Sequence, residues 1–153
     1  MITPEMIKKE NQVWKELQDD TLRLEIIERF KRQGVHIPVP QNTYIQSSVS
    51  IGQGTIILPN VFIFLDSQIG QGCIVWPNNI IISSKIGDNV GIESFSKIEN
   101  SEIKDSVTIR SHSKIAGSTL GQGCKVGPQA CLGPKSSISP QVDVGRIITS
   151  KKD

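Results

Sequence analysis

From Ile51 onward the chain sets an aliphatic residue at nearly every sixth position. The series runs Ile51, Ile57, Ile63, Ile69, Val75, Ile81, Ile86, Ile92, Ile98, Ile103, Ile109, Ile115, Leu120, Val126, Leu132, Ile138 and Val144, which is 17 positions. Three steps are five residues long rather than six, at 81 to 86, 98 to 103 and 115 to 120. With 42 Ile, Val and Leu among 153 residues, chance does not produce such a run. A fixed six-residue period is the signature of a parallel β-helix, in which each coil buries its inner face only by stacking on its neighbours.

The hexad can be taken apart. Side chains of a strand alternate between faces. The residue four after each aliphatic position is small or β-branched, as in Thr55, Cys73, Val90, Ser96, Val107 and Ser113, and it points inward with the next aliphatic residue. Between them lie turn residues such as Gln53-Gly54, Pro59-Asn60, Asp88-Asn89 and Pro140-Gln141, which suit the backbone angles of a corner. Three hexads therefore make one triangular coil. Coils start at Ile51, Ile69, Ile86, Ile103, Leu120 and Ile138, and each shortened step closes its coil on one and the same edge. The expected fold is all-β: a single-stranded parallel β-helix of about five to six triangular coils, preceded by an α-helical segment. Its divisions are N-terminal helices over 1–34, a connector over 35–50, the β-helix over 51–145 and a tail over 146–153.

Composition narrows the partners. The 17 Lys and Arg against 15 Asp and Glu give a net charge of +2, which argues against an extended nucleic-acid surface, since that needs basic residues clustered on one face. No apolar run approaches the roughly 20 residues of a membrane-spanning helix, and the Lys- and Glu-rich start lacks a secretory core. A cytoplasmic location is expected. Cys73 and Cys124 share an inward column three coils apart, about 14 Å and too far for a disulfide; Cys131 points outward.

The outward positions change along the chain. In the first two coils they are Ile56, Leu58, Phe62, Phe64, Ile74, Trp76, Ile80 and Ile82; later they become Glu93, Lys97, Glu99, Thr108, Arg110, Lys114 and Lys125. Such an apolar surface calls for a cover, from the N-terminal helices or from another copy. Residues 4–18 read as a helix with Ile7, Val13, Trp14 and Leu17 on one side. Residues 21–33 read as a second, capped by Thr21 with Glu25 near it, its apolar face made of Leu24 and Ile27 with Ile26 and Phe30, and ended by Gly34.

Residues for chemistry are few. The two histidines, His36 and His112, cannot make the three-histidine zinc site of a carbonic anhydrase, and no metal site is expected. His36 lies in the connector. His112 sits on a coil corner between Arg110 and Lys114, a position suited to a general base but equally to a solvated corner. Arg110 and Lys114 are the candidate edge for a phosphate. The Gly-x-Gly triplets at 52–54, 70–72 and 121–123 follow strands without opening a helix, so they read as corners and not as phosphate cradles.

The stretch from Leu24, LEIIERFKRQGVHIPVP, followed by IGQGTIILPNVFI, IGQGCIVWPNNIIISSKIGDNVGI and SKIENSEI, resembles the bifunctional N-acetylglucosamine-1-phosphate uridyltransferase / glucosamine-1-phosphate acetyltransferase family. The similarity covers about residues 22–128 and matches the linker helix and the first coils of the acetyltransferase half. It implies a left-handed prism, a homotrimer and acetyl-CoA bound between prisms. It also implies losses. About 20 residues precede the linker helix where the uridyltransferase half would stand. Ala116 replaces the arginine of the family's Leu-Arg-Pro-Gly segment, and Pro128-Gln129-Ala130-Cys131 replaces its Asn-Phe-Val-Glu. The catalytic Gly-His-Leu-Thr-Tyr segment finds no counterpart, and His112 does not align with that histidine.

Three functions fit these observations. One is a non-catalytic or partner-dependent scaffold or ligand-binding subunit related to UDP-N-acetylglucosamine biosynthesis. A second is an acyl- or acetyltransferase working from a CoA or carrier thioester on an amino sugar, with His112 at its centre. The third is a phosphosugar or sugar-nucleotide module on the Arg110–Lys114 edge.

Overall fold

A computed structural model describes residues 3–145 and the strand Ile148–Thr149. Its strands form three parallel sheets, one of seven strands and two of six, each assembled from every third strand. They are the faces of a triangular prism. The ladder Ile51, Ile69, Ile86, Ile103, Leu120, Ile138 is in register along one six-stranded face. Ile57, Val75, Ile92, Ile109, Val126 and Val144 line the second. Ile45, Ile63, Ile81, Ile98, Ile115 and Leu132 line the seven-stranded face. Every member from Ile45 to Leu132 is buried and belongs to one continuous core.

Two further inward columns are polar. Ser67, Ser84, Ser101 and Ser118 stack beneath the shortened edge. The hydroxyl oxygens of Ser67, Ser84 and Ser101 each accept the backbone N–H of the next serine up the column at 3.1–3.2 Å, and all four hydroxyls donate to a nearby carbonyl. On a second edge Asn79 Oδ1 accepts the Ser96 N–H and Ser96 Oγ accepts the Ser113 N–H. Side chains thus satisfy backbone groups that a tight corner would leave buried and unpaired.

Corners impose a left-handed backbone. Asn60, Asn78, Asn89, Phe95, Ser106, His112 and Gln129 all have φ between 56° and 66°. On the Ile51 face the chain packs backbone against backbone. A Cβ built on Gly70 would lie 2.6 Å from the carbonyl carbon of Gly87, so glycine is required there by the close approach.

The prism starts earlier than the hexad series. His36 bridges to Ile56, and Thr43–Ile45 pairs with Val61–Ile63. Residues 35–50, read as a connector, therefore carry an irregular lowest coil, with Val35, Ile37, Ile45 and Val49 in the core. Of the tail 146–153, Ile148–Thr149 pairs with Cys131–Leu132; the rest lies outside the described residues.

The helices close the mouth below that coil. α1 spans Pro4–Gln18, capped by Thr3, and α2 spans Asp20–Arg32. The cap of α2 is Asp19, whose Oδ1 accepts from the Leu22 N–H at 3.0 Å, and not Thr21; the chain breaks between the helices at Asp19, before Thr21 is reached. Gly34, with φ 90°, follows the helix end as expected. Ile26, Ile27 and Phe30 plug the core, whereas Leu24 faces out. On α1, Val13 and Leu17 are buried while Ile7 and Trp14 are about half exposed, because only one narrow stripe meets the rest of the chain. The hairpin side chains also occupy the open backbone edge. Arg23 Nη1 donates to the Pro40 and Thr43 carbonyls, Arg29 Nη2 donates to the Ser47 carbonyl, and Glu16 accepts the Ser47 N–H. The Arg23 guanidinium lies over the Tyr44 ring, which stacks on Phe62 at 4.5 Å. Among the described residues no helix is long and apolar enough to cross a membrane.

Candidate functional site

The corner between Ile109 and Lys114–Ala116 carries all three sequence candidates but spreads them. Arg110 follows the strand Thr108–Ile109 on one face, His112 occupies the corner, and Lys114 opens the strand of the next face. Arg110 is committed elsewhere. Its Nη1 donates to the Gly127 carbonyl at 2.8 Å and to Asp143 Oδ1 at 3.2 Å, and Nη2 lies 3.4 Å from Asp143 Oδ2. The expected Arg110–Lys114 phosphate edge is thus divided by a corner, and one of its cations is already paired. Lys114 is exposed, with Lys97 below it and Cys131 above it in register.

His112 is exposed at a left-handed corner with φ 60°, and its backbone N–H donates to the Ser94 carbonyl. Its ring stacks on Phe95 with centroids 5.1 Å apart. Histidine is among the residues that tolerate this backbone region, so the position has a structural reason of its own. His36 is exposed beside Ile56, exchanging backbone hydrogen bonds with Thr55 and Ile57 at 2.9 Å.

His36 lines a shallow concavity of about 360 Å³ with Lys31, Gly34 and Pro38, and two others bear on the remaining candidates. A hollow of about 290 Å³ opens next to the His112 corner, lined by Trp76, Glu93, Ser94 and Ser111. Ser111 Oγ donates to Glu93 Oε1 at 3.2 Å. A longer groove of about 650 Å³ follows the shortened edge past Asp66, Gln68, Lys85, Asn100 and Glu102. There the Lys104 ammonium, 2.6 Å from Glu102 Oε1, holds that carboxyl below the usual carboxylate range. The groove mixes hydroxyl, amide and both signs of charge, a surface for a polar ligand rather than for a polyanion. Among the described residues no group of three or more His, Cys, Asp and Glu could hold a metal.

Cys73 and Cys124 are buried and Cys131 is exposed. Burial pushes the Cys73 and Cys124 thiols up from the ordinary value.

Sequence reading did not anticipate the groove or the Asp143 partner of Arg110. The groove had a signal: the three five-residue steps and the serine column mark that edge. Asp143 had none, since it belongs to another hexad column nearly two coils further on.

The model for the GlmU-like C-terminal hexapeptide matches residues 59–141, more than half of the chain. The chain belongs to the GlmU-like hexapeptide family. "Bifunctional protein GlmU" of Listeria monocytogenes is 32% identical over 127 residues, covering 83% of this chain and 24% of the relative. The protein of the same name from Shouchella clausii is 34% identical over 131 residues, covering 86% and 25%. The chain therefore spans about a quarter of the length of these curated relatives. Among solved structures, the acetyltransferase domain of PglB from Neisseria gonorrhoeae, in complex with acetyl coenzyme A, aligns with a TM-score of 0.39 and 16% identity. That alignment covers 83% of this chain and 58% of the other.

Proposed function

We propose that this chain is a non-catalytic, partner-dependent member of the family: a cytoplasmic, trimeric scaffold or ligand-binding subunit related to UDP-N-acetylglucosamine biosynthesis. One observation carries this reading. Residues fit for catalysis do not converge: Arg110 is neutralised by Asp143, Lys114 lies around a corner, and the His112 ring rests on Phe95. General-base catalysis needs the base oriented within hydrogen-bond reach of its proton, and among the described residues neither histidine ring makes a hydrogen bond. The trimer is supported by Ile74, Trp76 and Ile80 on the second coil and Phe95 on the third, apolar side chains open to solvent.

Acetyl transfer is the second reading. It is favoured by the hollow beside His112 and by Glu93, held by Ser111 at its wall. The surroundings fit acetyl-CoA poorly, because its phosphates call for several free cations and here Arg110 pairs with Asp143 and Lys97 with Glu99.

Titration calorimetry with acetyl-CoA and with glucosamine 1-phosphate, followed by an acetyl-transfer assay, separates the two. The scaffold reading expects no acetyl transfer, and no change in His112→Ala. Turnover abolished by that substitution would overturn it in favour of the enzyme.

A further inference from the structure

The hollow beside the His112 corner is walled by an indole, a carboxylate and two hydroxyls. Trp76 and Glu93 belong to one outward column. Val75 and Ile92 pair in register, so the residues that follow them stand one coil apart, about 4.8 Å along the stack. Trp76 is 46% exposed.

Glu93 is a half-buried carboxylate without a counterion. Arg110 stands one coil above it, but its guanidinium is spent on the Gly127 carbonyl and Asp143. Lys97 pairs with Glu99. Among the described residues no Lys, Arg or His forms an ion pair with Glu93. Ser111 Oγ donates to its Oε1 at 3.2 Å and so fixes the carboxylate, while Oε2 has no partner among the described residues. Ser94 adds a hydroxyl to the same wall. A fixed, uncompensated negative charge attracts a cation, and the face of an indole attracts the same sign.

The polar atoms and the size narrow the cation. Carboxylate and hydroxyl oxygens accept hydrogen bonds; a primary ammonium offers three N–H donors, and a quaternary one offers none. At about 290 Å³ the hollow lies at the lower end of ligand pockets, which run roughly 300–1,000 Å³. It suits a short molecule and not a coenzyme.

We propose that this hollow is a subsite for a small primary alkylamine, its ammonium donating to Glu93 and its alkyl stem lying on the Trp76 indole. This rests on the ligand-binding form of the reading above and gives it a ligand class; it requires neither the trimer nor acetyl transfer.

Fluorescence titration with n-butylamine at constant ionic strength tests this. A Trp14→Phe background leaves Trp76 as the only tryptophan. Saturable change is expected, with a Kd on the order of 1–10 mM for so small a ligand. Two probes check the class: n-butanol, which has the stem without the charge, should give no saturation, and tetramethylammonium, a charge without N–H donors, should bind at least fivefold more weakly. Two variants check the place, with circular dichroism as the folding control. Glu93→Gln should weaken butylamine at least fivefold, whereas Glu99→Gln, which removes a carboxylate already paired with Lys97, should leave it unchanged. No saturation by butylamine, equal binding of butanol or tetramethylammonium, or equal losses in the two variants overturns the subsite. None of these results touches the non-catalytic reading, which falls only to turnover in the acetyl-transfer assay.

Discussion

The first two coils and the two that follow share an interior and differ outside. Ile81, Ile98 and Ile115 sit one above another in the core, yet the neighbours that face solvent are Ile80, Lys97 and Lys114. On the adjoining face Val75, Ile92 and Ile109 repeat inside while Ile74, Gly91 and Thr108 change outside. In a stacked tube the inner beat specifies the fold, and the outer residues are free to specify what the tube meets. The same separation explains why a family is recognisable here while an activity is not.

The sharpest test of that separation sets Ile98→Ala against Lys97→Ala in the same strand. Loss of the buried Ile98 side chain is expected to cost about 2–5 kcal/mol. Lys97→Ala, which removes an exposed ion pair with Glu99, should stay within about 0.5 kcal/mol. Denaturant unfolding measures both, and comparable losses would dissolve the distinction.

A smaller effect contrasts two glycines. A Cβ on Gly70 meets the Gly87 backbone, whereas one on Gly91 meets nothing within 4 Å. Gly70→Ala should destabilise by about 1–3 kcal/mol; Gly91→Ala should be neutral or slightly stabilising, since alanine lowers the entropy of the unfolded chain. Equal melting temperatures for the two variants would show that the coils can part without cost.

The smallest effect concerns the thiols. Cys131 should react with a thiol reagent in the folded protein, and Cys73 and Cys124 only on unfolding. Burial raises the pKa of both buried thiols above that of a free cysteine. Their contribution to stability is therefore complete below the pKa of an unfolded cysteine and is lost as pH climbs past it towards the raised folded values. A Cys73→Ala chain should show a shallower alkaline decline; an unchanged slope would take Cys73 out of the account.

The regular coils were legible because an aliphatic period of six has one physical meaning, and the three short steps even marked the groove edge. The lowest coil reads as a connector although Ile45, six residues before Ile51, and Val49 keep the hexad spacing; before them Ile37 falls out of step across the 3-10 turn at Pro40–Asn42. Trp14 misled because it adjoins Val13 on a helix whose contact stripe is only wide enough for Val13 and Leu17. Arg110 looked like an anion anchor because its partner Asp143 lies 33 residues away. The corner occupied by His112 could be placed from sequence, but the Phe95 ring against it could not.

The helical stopper has a consequence for growth. A stack of parallel strands ends in a row of unpaired amides and carbonyls, an invitation for another molecule to continue the pile. Here Arg23, Arg29 and Glu16 occupy part of that row at the entrance, and Phe30 fills the bore behind them. The tube is thereby given a definite beginning, and fibre-like extension is refused from that direction.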